Sequence, residues 1–126
     1  MTVEIAATTF QMLDGSQEVE LTHDGQTKRF TAVGLSEYIS ALAAARANLL
    51  PPVPLAIPTG QSLPTQLDPN FSTASNAMMN GSSLFFRHSG FGWLGVVIPF
   101  DNLVVLHGLL GAQIEAAKIS QARPLN

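Results

Sequence analysis

The residues of this chain that could do chemistry are few: His23, His88 and His107, the serines of "GSS" at 81–83 and "HSG" at 88–90, and the glycines of "GFGWLG" at 90–95. A catalytic zinc needs three protein ligands in a fixed geometry, and no HxH, HExxH or carboxylate at ligand spacing accompanies any histidine. His23 and His88 therefore read as polar turn residues, and His107, beside Leu103, Leu106 and Leu110, as a hydrogen-bonded histidine at a core edge. The serines stand in neither GxSxG nor SxxK, the contexts that give a nucleophile its base and its oxyanion donor.

Gly90, Gly92 and Gly95 have the form GxGxxG. A dinucleotide loop would need that run between a strand and a helix N-terminus, so that backbone N–H groups and the helix dipole meet the pyrophosphate. Here the glycines lead into a strand, "WLGVVIPF", and suit a hairpin or bulge. Glu18 and Glu20 share one strand face opposite Val19 and Leu21, as solvated carboxylates do, and Glu37 and Asp101 fall at helix starts. The absence of cysteine excludes disulfides and thiol chemistry. No catalytic residue, metal or cofactor is assigned, and the chain reads as a non-enzyme.

The elements that must position these residues begin with three strands. Val3, Ile5 and Ala7 alternate, Asp14-Gly15 marks a turn, "QEVELT" alternates again, and Asp24-Gly25 turns the chain into "TKRFTAV", a three-stranded meander. A helix follows, with Ser36 as its cap, Glu37 in its first turn and Tyr38, Leu42, Ala45 and Leu49 on one face, stopping at Pro51-Pro52. Residues 51–81, rich in proline, show no periodicity and read as a connector lying extended along the body. Then "SSLFFRH", a turn and "WLGVVIPF" form a hairpin, and Asp101 caps a second helix to about Lys118 with Leu103, Leu106, Leu110, Ile114 and Ala117 on one face.

The segment from His23 lies over that from His88 at a constant offset of 65 without a gap, pairing Gly25 with Gly90, Ser36 with Asp101 and Tyr38 with Leu103. Identities stay near chance, but turn, strand, cap and helix face coincide. The expected fold is α+β: one domain, 1–126, with halves 1–50 and 82–126 contributing to an antiparallel sheet with both helices on one face. A possible internal duplication underlies it.

Charged residues make up 12% of the chain, against about 25% in typical domains. The six basic residues are scattered, which argues against nucleic acid. The N-terminus lacks a positive n-region, and the apolar run Leu103–Ile114 falls short of the ~20 residues that cross a bilayer, so a cytoplasmic protein without a membrane role is expected. Phe85, Phe86, Phe91, Trp93 and Phe100 cluster near the second hairpin, and strand alternation turns some of them outward. An interface through Phe85, Phe91, Trp93 and Leu94 follows, in a small interaction module, accessory, inhibitor- or immunity-like, or regulatory, that binds a protein partner or itself as a homo-oligomer. The alternative is a small-ligand binder or enzyme with a pocket between sheet and connector, using His88, His107 and Trp93. With no ligand set in the sequence, EDTA is expected to leave the melting temperature unchanged. A drop restored by a divalent ion would contradict this.

Overall fold

The structure, a computed structural model, describes residues 3–122. Its elements are β1 (Ala6–Gln11), β2 (Gln17–His23), β3 (Gln26–Thr31), α1 (Ala32–Ala47), β4 (Phe71–Asn76), β5 (Gly81–His88), β6 (Gly92–Ile98) and α2 (Phe100–Ala122). The fold is α+β. The chain divides between Pro64 and Thr65 into two compact units, where the sequence suggested one domain. Each unit has one three-stranded antiparallel sheet, β1-β2-β3 or β4-β5-β6, followed by one helix.

The single sheet with both helices on one face is thus corrected to two sheets, each with its own helix. The reason is local: every ladder among the described residues joins strands adjacent in sequence, so each meander closes on itself. The connector 51–81 is also shortened, because β4 lies inside it. "FSTASN" carries no apolar alternation, yet its backbone pairs with β5 from Phe71↔Phe86 to Asn76↔Gly81. At the offset of 65, β1 maps onto β4 residue for residue. The element order is repeated, and the helices differ in length, 16 residues against 23.

Turn chemistry sets the registers. Asp24 and Gly25 both take positive φ, 52° and 75°, which suits the two-residue turn closing His23↔Gln26. In the β1–β2 turn, the Ser16 hydroxyl and N–H donate to Asp14 Oδ1 at 2.6 and 2.9 Å and hold that carboxyl below its usual range. Asn76 Oδ1 accepts from Met79 N–H at 3.0 Å in the β4–β5 turn. A Cβ on Gly81 would collide with the backbone carbonyl of Ile98, so only glycine lets β5 start there.

α1 begins four residues before the expected cap. Thr31 Oγ1 accepts from Gly34 N–H at 3.0 Å, and Ser36 and Glu37 fall inside the helix. Gly34 belongs to the first turn, and does not end the strand. At the other end, the Asn48 side chain donates to Ala44 O at 3.2 Å, satisfying a carbonyl of the helix C-terminus, and Arg46 Nη1 donates to Pro51 O at 3.0 Å, tying the helix end to the segment that follows.

Each helix faces its sheet from its first turn as far as Leu42 in α1 and Leu110 in α2, and runs on beyond it. In α1, Leu35, Tyr38 and Ile39 are half-buried, with Tyr38 stacked on Phe30 at 5.0 Å and Lys28 Nζ 5.4 Å from the Tyr38 ring. From Ser40 onward α1 is exposed. In α2 only Leu103, Leu106 and Gly111 are half-buried. Among the described residues none is buried. Thr31→Ala is expected to lower stability by about 1 kcal/mol through loss of the cap, while Ser36→Ala stays within about 0.5 kcal/mol; denaturant midpoints distinguish the two.

Candidate functional site

The pleat decides where the aromatic residues go. Leu84, Phe86 and His88 on β5 share a face with Leu94 and Val96 on β6, because Leu84 pairs with Val96 and Phe86 with Leu94. This face looks toward α2. Phe85 and Trp93 lie on the opposite face with Val97, and Arg87 pairs with Trp93. The proposed interface set is therefore split: Phe85 and Trp93 share the outer face, Leu94 is on the helix side, and Phe91 sits in the turn. All four are exposed, Trp93 at 56%.

Gly95 is the reason Phe85 can lie flat on that outer face. Its missing Cβ would come within 3.2 Å of the Phe85 ring carbons, so the ring occupies the space above the glycine. Gly92 takes φ of 80° where the turn enters β6. The glycine run thus serves a hairpin, and no helix N-terminus follows it directly. The segment before β4 is tied to the same hairpin: Arg87 N–H donates to Asn70 O at 2.9 Å, and Ser89 N–H to Gln66 Oε1 at 2.9 Å. Trp93 borders a shallow depression with Asp68, Pro69, Asn70 and Phe71.

His88 is a turn residue. Its Nδ1 accepts from Gly90 N–H at 2.9 Å and from Phe91 N–H at 3.0 Å, which places its proton on Nε2, and its ring packs on Phe91 at 4.5 Å. His23 is held differently, with Nδ1 3.3 Å from Glu4 O and Nε2 3.4 Å from Asp24. Among the described residues no three His, Asp or Glu side chains gather in a metal-binding group.

Each unit has a groove between sheet and helix. In the first it is lined by Ile5, Leu21, Phe30, Tyr38 and Leu42, with His23, Gln26 and Lys28 beside them, and has a volume of about 290 Å³. In the second Phe71, Thr73, Leu84 and Phe86 face Leu103, Leu106, His107 and Leu110 across about 560 Å³. Leu21, Tyr38 and Leu42 of the first correspond at the offset of 65 to Phe86, Leu103 and His107 of the second. The structure does not bring His88, His107 and Trp93 together: His107 is in the groove, His88 caps the turn and Trp93 is on the other sheet face.

α2 carries a second apolar stripe. Val105, Leu109, Ala112, Ala116 and Ile119 are spaced four, three, four and three apart, on the side away from the sheet, and all are exposed. Its 3–4 spacing is legible in the sequence, but the more apolar stripe through Leu103, Leu106 and Leu110 masks it. α2 is, by length and composition alone, long and apolar enough to cross a membrane.

The chain matches no family model, and no curated protein or solved structure is significantly similar to it, so the functional reading rests on geometry. His88→Ala removes the acceptor of two turn N–H groups and is expected to cost about 1–2 kcal/mol of stability, whereas His23→Ala is expected to stay within about 0.5 kcal/mol. Equal midpoints for the two variants would remove the structural role assigned to His88.

Proposed function

We propose that this chain is a self-associating interaction module, an accessory or regulatory protein that works by contact with further protein and carries out no chemistry of its own. One observation carries the reading. The chain exposes 11078 Å², whereas two separate compact units of this size would together expose only about 7800 Å². The surplus is apolar to a large extent, with Val33, Leu42, Leu109, Ile114 and Ile119 among the residues more than half exposed. Monomeric proteins in water rarely leave contiguous apolar patches of that order uncovered. Exposed apolar residues lie in the segment 51–70 as well as on the helices and sheet faces.

An aqueous, cytoplasmic setting belongs to the same proposal. The uncharged run of α2 from Asn102 to Ile114 would extend only about 20 Å as a helix, short of the ~30 Å hydrocarbon core, and Asp101, Glu115 and Lys118 bound it. A second reading, a small apolar ligand in the groove beside His107, draws on the volume of about 560 Å³ and its apolar lining. Such a ligand would raise the melting temperature without making it depend on protein concentration.

Self-association makes the melting temperature climb with protein concentration, and sedimentation should show species larger than 13.4 kDa. Trp93→Ala is expected to weaken association by about 2 kcal/mol if the outer sheet face takes part, and to spare the protomer the ~3–5 kcal/mol of a core tryptophan, since the indole is already exposed. A wild type that stays monomeric with a concentration-independent melt would sink the proposal.

A further inference from the structure

We infer that the outward stripe of α2, Val105, Leu109, Ala112, Ala116 and Ile119, is the surface on which two copies of this chain join, helix against helix about a twofold axis. The inference rests on the self-association proposed above and gives it a specific surface.

The first ground is direction. At 3.6 residues per turn this stripe is centred roughly 140° around the helix from the one through Leu103, Leu106 and Leu110. Closing α2 more tightly onto its own sheet would cover the second set and leave the first in water. An occupant from outside the unit is needed. The second ground is periodicity: alternating steps of four and three residues form the apolar seam of a coiled coil, and a seam is self-complementary because a second copy presents the same knobs and holes. The seam also carries no charge. Glu115 and Lys118, bonded to each other at 3.1 Å, sit between the two stripes, and the one charge on the stripe's own face, Asp101, lies beyond its end, a turn before Val105.

The third ground is steric. Ala112 and Ala116 lie centrally in the stripe, so helix axes can approach closely there, with Val105 and Leu109 at one end and Ile119 at the other to be buried. α1 offers no equivalent seam: its face away from the sheet carries Val33, Glu37, Ser40 and Ala44, one large apolar residue among polar and small ones. The fourth is area. A stable dimer buries about 800 Å² on each partner, and Val105, Leu109 and Ile119, each more than half exposed, together with the outer sheet face offer apolar surface toward it.

The chain contains no cysteine, so single-cysteine variants report directly on proximity. Ala112→Cys should form covalent dimers under mild oxidation at concentrations where Lys118→Cys, on the polar side, gives none. Leu109, 57% exposed in the protomer, can be changed without opening a core, and Leu109→Asp should weaken association at least about 30-fold by sedimentation while far-UV circular dichroism keeps its helical signal. Should Leu109→Asp lose its structure, the Ala112→Cys cross-link decides. Association of Leu109→Asp at wild-type strength, with no Ala112→Cys dimer, overturns the inference but leaves the proposed function standing. A monomeric wild type overturns both. A monomeric wild type that co-sediments with phosphatidylcholine–phosphatidylglycerol vesicles, and loses this in Leu109→Asp, would instead make the stripe a membrane face and overturn the dimer.

Discussion

Apolar surface without a cover is the constraint on which the rest of this structure depends. A unit of some sixty residues buries only about 60% of the surface its unfolded chain exposes even when well packed, and is marginal for that reason. Here each helix faces its sheet through its first turns and then runs on in the open, so the layer that should seal the sheet is incomplete. The hydrophobic effect scales with apolar area removed from water, at roughly 25 cal/mol per Å². Surface left open in the protomer is stabilisation still to be gained. Under the proposed self-association, folding and assembly would be coupled, with contacts between copies supplying what the protomer's own core does not.

What the protomer does hold firmly is local. Ladders between neighbouring strands, the Asp24-Gly25 turn, the Asp14–Ser16 and Asn76–Met79 turn bonds and the Thr31 cap all join residues close in sequence. The outer face of the first sheet adds Arg29, paired with Glu18 at 2.8 Å and lying 4.2 Å from the Phe10 ring. Exposed pairs of this kind contribute little individually. They fix register, and register decides which side chains each face presents. The position of Phe85 over Gly95, and of Trp93 beside it, follows from that register together with the turn that His88 caps.

This division between local and non-local explains what could be read from the sequence. Turns are chemically explicit, so Asp24-Gly25 and the second hairpin were placed within a residue or two. The first helix was recognised but entered late, because Ser36 and Glu37 imitate a capping pair while the true cap, Thr31, ends a strand. β4 is not legible in "FSTASN", which has no apolar alternation and takes its strand state from pairing with β5, although the offset of 65 places it over β1. The aromatic cluster was visible, but which face each ring takes depends on pairings such as Phe86↔Leu94 that composition does not disclose. The number of sheets was misread for a related reason, since sequence shows which segments are strands and not where pairing stops.

The two units share an order of elements but not a chemistry. α1 is largely alanine beyond Leu42, with Ala43, Ala44, Ala45 and Ala47, and its end is fastened by Asn48 and Arg46. Alanine is the best helix former and removes little area from water, so this helix can remain exposed at small cost. α2 is longer and carries Val104, Val105, Leu109 and Ile119 on surfaces its sheet cannot reach. The β-branched residues among them, Val104, Val105 and Ile119, lower helix propensity slightly, and none of the four gains anything from standing in water. These side chains leave apolar surface open on α2 and on the Trp93 face of the second unit, and that is the surface the proposed self-association would use.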